Sequence, residues 1–446
     1  MNPQNPSSTP LYDALQAHLQ KNRASFHTPG HKGYCPFLPL DGAFDLTELP
    51  DTDSLYEAES CIRQSEAAAA RLFGAKYTAV SSGGCSLAIQ GMLAAFAGAG
   101  SKVIFCRNLH RSAVNACALL GIDPVWVLHT PDAGSGLPGR VGAEDVRNAI
   151  ERHPDASAVY LTSPDYYGCL SDISSIAAVC RLHRIPLLVD NAHGTHLISF
   201  GRHPLTLGAS ATACSAHKTL PVLTGGAWLH CNVEAAIPRI KPAMALFGST
   251  SPSYLIMSSL DLARDWMERE GMAAFRGLAA TVAELRVLAL NKGFGLPEGE
   301  CDPVRLTLLP RPLGMSGNAA ADFFRQRGAE CEHSDACAVV FLLTPFNPER
   351  DVRLLRQAIA DFPHGHPLPD AGSTFDRLPV RILSPREALL RPSLVIDTAH
   401  AAGRIAAEAA CPCPPGVPVV MPGEEIDEKC VNILLNTGIR RINVLE

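Results

Sequence analysis

The chain has 446 residues, 47% hydrophobic and 18% charged, the make-up of a soluble globular enzyme with one large domain and a smaller one. Its net charge of -6 leaves no basic footprint for nucleic acid, and no Lys/Arg cluster marks a membrane surface. The start, Met1 to Pro10, has neither a basic n-region nor an apolar h-region, and no later run is long enough to span a bilayer, so a cytoplasmic protein is expected.

In chain order, Leu11, Leu15 and Leu19 share a helical stripe behind Pro10, an arm before the main domain. A loop follows in which His27, His31 and Lys32 are gathered among Pro29, Gly30 and Gly33, a composition that favours a site-facing loop over a plain linker. The acids from Asp45 to Asp53 read either as a solvated face or as the lining of a site for a cationic substrate.

Regular alternation begins at Glu57. A helix through Ala67 to Phe73 stops at Gly74, a strand spans Tyr77 to Val80, and Ser81 to Ser86 opens the next helix. A strand, a Gly/Ser turn and a helix N-terminus can cradle a phosphate on Gly83, Gly84, Cys85 and Ser86, although such turns also simply begin helices. Strands at Lys102 to Cys106, Val125 to Leu128, Ala158 to Thr162 and Leu187 to Val189 alternate with helices at His110 to Leu120, Ala143 to Arg152 and Ser174 to Arg184. Apolar strands in this rhythm predict an α/β fold with a mostly parallel, doubly covered sheet.

The strand Ile185 to Val189 ends in Asp190, where open sheets collect ligands. Lys218 follows His217 after a run of small residues, poor surroundings for a solvated charge. Burial would lower its pKa and free the amine as a nucleophile. An acid for a pyridine nitrogen and a lysine for an aldehyde are what pyridoxal 5'-phosphate requires. After a strand from Gly226 to His230, a long helix from about Tyr254 leads into the remainder. We expect an arm and loop over residues 1–44, a large cofactor-binding domain over 45–292, and a smaller α+β domain over 293–446. The 15 cysteines include no Cys-x-x-Cys pair, Cys411 and Cys413 being the nearest approach, so reduced and mostly buried thiols are expected, with no metal.

Several motifs recur together: His27-x-Pro29-Gly30-His31-Lys32-Gly33, Arg107-Asn108-x-His110, Ser163-Pro164-x-Tyr166-x-Gly168, Asp190-x-Ala192-His193-Gly194-x-His196, Ser215-x-His217-Lys218, Ser251-x-Ser253-Tyr254 and Pro414-Pro415-Gly416-Val417-Pro418. In order and spacing they resemble the bacterial Orn/Lys/Arg decarboxylase family, in its short form without an N-terminal wing domain. The resemblance covers nearly the whole chain and implies the fold type I of pyridoxal-phosphate enzymes, with a seven-stranded sheet and a homodimer or higher homo-oligomer. It implies Lys218 as the covalent anchor of the cofactor, Asp190 at the ring nitrogen, His110 stacked on one ring face and Ala192 on the other. His193 joins the cofactor set, with Ser215, His217 and the Gly83 to Ser86 turn near the phosphate. Lys218, His110, Asp190 and His217 form the catalytic set. Asp53, His31 and Glu424 form the substrate set.

Two departures stand out. Gly84-Cys85-Ser86 replaces the hydroxyl pair usual after the family's glycine, and Asp165 stands where threonine or asparagine is common. The implied reaction is decarboxylation of arginine, lysine or ornithine, small amino-acid substrates of polyamine metabolism. A transaminase, aldolase or lyase would share Lys218 and Asp190 but hold the α-carboxylate with an arginine, and the sequence places none there.

Overall fold

A strand that is apolar on both faces needs helices on both, and the chain supplies them in turn. The computed structural model describes residues 24–26, 53–129, 135–369, 377–411 and 418–446. A short strand β1 (Ala24–Phe26) and helix α1 (Cys61–Phe73) come first, α1 ending on Gly74 at φ 64°, as its glycine predicts. Then follow β2 (Tyr77–Ser81), α2 (Gly84–Phe96), β3 (Lys102–Cys106), α3 (Arg111–Leu120), β4 (Asp123–Val127), α4 (Ala143–Arg152), β5 (Ala158–Thr162), α5 (Ile173–Leu182) and β6 (Leu187–Asp190). After these come β7 (Ala211–Cys214), α6 (Ala216–Thr219), β8 (Ala227–Cys231) and α7 (Ile237–Ala245).

The seven strands pair in the order β2-β8-β7-β6-β5-β3-β4. Only β8 runs antiparallel to its neighbours, so the sheet is mostly parallel, as expected. Residues alternate between faces: Val103 and Phe105 of β3 join the core under α2, α3 and α7, whereas Ile104 and Cys106 join the one under α4 and α5. Helices α2 and α7 meet so closely that a Cβ on Gly91 would lie 2.5 Å from the Met244 side chain.

The long helix expected from Tyr254 is present and carries a π-helical turn. It runs as α8 (Tyr254–Trp266), a π-helical turn at Met267–Gly271, and α9 (Met272–Lys292). A Cβ on Gly271 would lie 2.8 Å from the Trp266 ring, so the small residue lets the chain widen its turn beside that indole.

Beyond α9, β9 (Arg305–Leu308), α10 (Gly317–Gln326), β10 (Ala329–Cys331), β12 (Val339–Leu342) and α11 (Glu349–Ala360) share one core with the end of α9, and β11 (His333–Ser334) lies between β10 and β12 in sequence. β12 lies antiparallel between β11 and β9, and β1 joins this unit through parallel pairing with β10. Farther on, α12 (Pro385–Leu389), hairpin strands β13 (Ser393–Asp397) and β14 (Arg441–Leu445), and α13 (Glu428–Asn436) complete the chain. Residues 401–444 hold a separate apolar cluster.

Candidate active site

β8 is antiparallel to both β2 and β7, so β2 is parallel to β7 and ends on the same edge of the sheet as β3, β5 and β6. That edge therefore gathers the turn after β2, His110 after β3, Asp190 at the end of β6, and Ser215 to Lys218 after β7. It is where an open α/β sheet takes its ligand.

Asp190 is 1% exposed. One carboxylate oxygen accepts the Ala192 N–H at 3.0 Å, and the other accepts the Tyr160 hydroxyl at 3.2 Å. Burial raises its pKa, while His110, the Ala192 N–H, Lys218 and Tyr160 act in the opposite direction. A buried carboxylate at a strand end is stabilised as an anion by a cationic partner at its mouth.

Burial lowers the pKa of the Lys218 amine, against the pull of Glu332 and Asp190. Lys218 Nζ lies 2.5 Å from His193 Nε2 and 5.4 Å from the centre of the Tyr166 ring. The second ring nitrogen, His193 Nδ1, receives a hydrogen bond from the Arg305 guanidinium at 3.1 Å. A guanidinium has donors only, so Nδ1 must accept and the proton of the neutral imidazole resides on Nε2. Burial, Lys218 and Arg305 all favour that neutral ring. Nε2–H then points at Lys218, whose nitrogen must accept. Arg305 thus holds Lys218 as the free amine, its nucleophilic form.

This chain of contacts makes a test. Arg305→Met frees His193 to accept a proton from an ammonium, so the Lys218 pKa should rise, and the pH at which half of the amine is reactive should move up by about one unit. The pH dependence of Lys218 modification by pyridoxal phosphate in the cofactor-free protein reads the shift.

At the start of α2, the Gly84 N–H already donates to the Gly225 carbonyl at 2.7 Å. Cys85 turns inward, its thiol raised by burial and by Asp190, while Ser86 is exposed on the first turn. Ser86 is therefore the hydroxyl available at this turn. His217 Nδ1 lies 3.2 Å from Ser215 Oγ and 3.1 Å from the Gly226 carbonyl oxygen. His110 caps α3: its Nδ1 accepts the Ser112 N–H at 3.2 Å, while the residue keeps open surface. Desolvation lowers the pKa of that ring, and Asp190 raises it. A neutral lysine amine, a buried acid, an open imidazole and a helix N-terminus fit the aldehyde, ring nitrogen, ring face and phosphate of pyridoxal 5'-phosphate.

The family described as "Orn/Lys/Arg decarboxylase, major domain" matches residues 9–289, and its C-terminal domain matches residues 373–437. The chain belongs to the Orn/Lys/Arg decarboxylase family. It is 30% identical to the arginine decarboxylase of Bacillus subtilis (strain 168), over 96% of this chain and 93% of that one. It is 24% identical to the constitutive lysine decarboxylase of Escherichia coli (strain K12), over 95% of this chain and 76% of that one. Among solved structures, lysine decarboxylase A from Pseudomonas aeruginosa superposes with a TM-score of 0.73 at 18% identity, covering 97% of this chain and 78% of the other. That likeness establishes the shared fold.

Two substrate expectations for this decarboxylase-family chain need correction. Asp53, with φ 70°, turns its carboxylate to the backbone N–H groups of Ser54, Glu59, Ser60 and Ile62 at 2.8–3.1 Å. It caps the N-terminus of α1 instead of facing a substrate. Burial opposes its ionisation, but the four backbone donors bring its pKa down to about 2. Asp53→Ala should cost about 1 kcal/mol, the usual worth of a helix cap. Because the folded pKa is depressed, this stabilisation is present above the unfolded value near 4 and fades as pH falls through about 2. Denaturation of variant and wild type at pH 7 and pH 2.5 checks both statements.

Glu424 is the second correction. Both its oxygens pair with Arg107, at 2.6 and 2.7 Å, with each residue at most 1% exposed. Arg107 also donates to the carbonyls of Pro418 and Val419, so the pair fastens the C-terminal segment to the loop after β3. Glu424→Gln would leave a buried guanidinium without its counter-ion, and a loss of about 3–5 kcal/mol in denaturant unfolding is expected. His31 lies outside the described residues. Asp165 accepts the Cys169 N–H at 2.8 Å within its own turn, and burial raises its pKa to about 6.

Arg305 and Tyr160 were absent from the candidate set. Tyr160 reads as one more apolar strand residue, and only its hydroxyl could have marked it. Arg305 carries no motif and reaches His193 from another core across 112 residues of sequence.

Proposed function

We propose that this chain is a pyridoxal-phosphate enzyme that converts arginine, lysine or ornithine into agmatine, cadaverine or putrescine with release of carbon dioxide. The observation that carries the reading is Lys218 in contact with a His193 ring oriented by Arg305, on the same sheet edge as buried Asp190, in a chain whose relatives include a named arginine decarboxylase. Lys218 would hold the cofactor's aldehyde and Asp190 its ring nitrogen. His110 and Ala192 would flank the ring with His193 close by, and Ser215, His217 and the Gly83 to Ser86 turn would receive the phosphate. When bound, the cofactor supplies the electron sink that lets the α-carboxylate leave.

The protein's own groups do the rest. Asp190 would favour a proton on the cofactor's ring nitrogen. Lys218 would be the group that returns a proton to the substrate's Cα. His217 is tied to Ser215 and Gly226, which favours Lys218 for that step.

Arg305 bears on the transaminase alternative. Its two terminal nitrogens donate to the carbonyls of Asp165, Tyr166 and His193 and to His193 Nδ1. A guanidinium so committed has no free fork to clamp an α-carboxylate, which supports loss of that group over its retention. We further place the activity in cytoplasmic polyamine metabolism and in a homo-oligomer.

The deciding assay follows amine and carbon dioxide from L-arginine, L-lysine and L-ornithine with added pyridoxal phosphate. One of the three should yield both products in equal amounts. If the protein binds the cofactor, seen by its visible absorbance, yet releases no gas from any of them, the decarboxylase reading is wrong.

A further inference from the structure

We propose that Cys169 and Cys301 are a peroxide-oxidisable dithiol, a modification site that can covalently join the loop after β5 to the segment leading into β9. The proposal is independent of the substrate reading, because it rests on the two sulfurs and their surroundings.

The two residues face each other as an antiparallel bridge pair. The flanking backbone bonds run from the Leu170 N–H to the Glu300 carbonyl at 3.0 Å and from the Asp302 N–H to the Gly168 carbonyl at 2.7 Å. Cys169 and Cys301 therefore form the pair between those bonds that shares none of its own. In such pairs the Cα atoms are about 4.5 Å apart and the side chains approach closest. A disulfide accepts Cα separations of about 4.4–6.8 Å, so the backbone is already in range. The thiols are free here and hydrogen-bonded to one another.

The surroundings separate the two roles. Cys169 is 7% exposed, whereas Cys301 is only half-buried and open to a small reagent. Arg140 lies against both sulfurs: its guanidinium is 3.9 Å from Cys301 Sγ and also bonds Cys169. The hydrogen bond from Cys169 lowers the Cys301 pKa, helped by Arg140 and Arg286 against burial and Asp165. Cys169 moves the opposite way, raised by that same bond and by burial. The buried Cys106 and Cys117 thiols, by contrast, are raised by desolvation. A partly open thiol with a depressed pKa beside a protonated neighbour is the arrangement of an attacking and a resolving cysteine.

The chemistry balances with hydrogen peroxide as oxidant. The Cys301 thiolate attacks one peroxide oxygen, the O–O bond breaks, and hydroxide leaves, giving a sulfenic acid. Cys169 then attacks that sulfur, the S–O bond breaks, and the hydroxyl leaves with the Cys169 proton as water. Two thiols and one peroxide become one disulfide and two waters. The link would lie next to Asp302, which bonds His196 at 2.8 Å, and close to the Asp165 and Tyr166 carbonyls that hold Arg305.

The test oxidises the purified full-length protein with hydrogen peroxide, blocks the remaining thiols and maps peptides by mass spectrometry. A linked peptide joining Cys169 and Cys301, lost on treatment with dithiothreitol, is the expected result. Cys169→Ser should stop the reaction at a sulfenic acid on Cys301, captured by dimedone, and Cys301→Ser should show neither link nor adduct. The exposed Cys61 serves as an internal control. If Cys61 is oxidised while Cys169 and Cys301 stay reduced, or if the pair oxidises to separate sulfinic acids without a link, the proposal is overturned. Should a variant fail to fold, the linked peptide of the wild type decides alone.

Discussion

Lys218→Ala should reduce amine release by at least about 10^3-fold, the scale lost when a group acting covalently in a reaction is removed. Its side chain sits where two influences favour the free amine. Burial disfavours the ammonium and Arg305 fixes the proton of His193 on the nitrogen facing it, while Asp190 pulls the other way. Other described lysines are placed differently: Lys102 and Lys76 are paired with exposed acids, and Lys241 pairs with Glu66. The variant should also lose the lysine-dependent visible absorbance of bound pyridoxal phosphate while keeping its far-ultraviolet circular dichroism. Lys218→Arg should fare no better, because a guanidinium stays charged and only donates. Retention of more than about a tenth of the activity would exceed the residual expected after loss of a covalent group and would remove Lys218 from the mechanism.

What could be read along the chain and what could not divide on physical grounds. The sheet was legible because its strands are buried on both faces and each is followed by a helix, so local pattern and global fold agree. The gathering of Asp190, His193 and Lys218 was legible for the same reason, since strand ends on one edge of a parallel sheet are brought together by topology alone. Glu424 misled because its partner, Arg107, lies 317 residues away, and charge pairing over that span leaves no local mark. Asp53 misled differently. An acid in an acidic run suggested a cationic ligand, but unsatisfied N–H groups at the start of α1 are a nearer source of positive potential. Arg305 was invisible because its effect on Lys218 passes through a second residue, and a tautomer is fixed only by three-dimensional contact.

Asp190→Asn should lower turnover by about 10^2- to 10^3-fold, comparable to deleting one preorganised electrostatic partner in a water-excluded site. The side chains are nearly isosteric, and the amide oxygen can still accept either the Ala192 N–H or the Tyr160 hydroxyl, so the fold should survive. What disappears is the negative charge. An amide would leave a protonated ring nitrogen without its counter-ion and so would favour the neutral nitrogen, which would weaken the pull on the bond to the carboxylate. The wild type carries a related signature in pH. Burial raises the Asp190 pKa in the cofactor-free protein, so the acid becomes neutral as pH falls through that raised value, and it should then bind pyridoxal phosphate more weakly. A bound cationic ring nitrogen favours the carboxylate and moves its pKa down again, so cofactor uptake at low pH should release a proton. Calorimetry of cofactor binding in two buffers of different ionisation enthalpy measures that release, and Asp190→Asn should abolish it. A variant that keeps the proton release would show that the titrating group is elsewhere, with His110, the neighbour most strongly felt by Asp190, the first to examine.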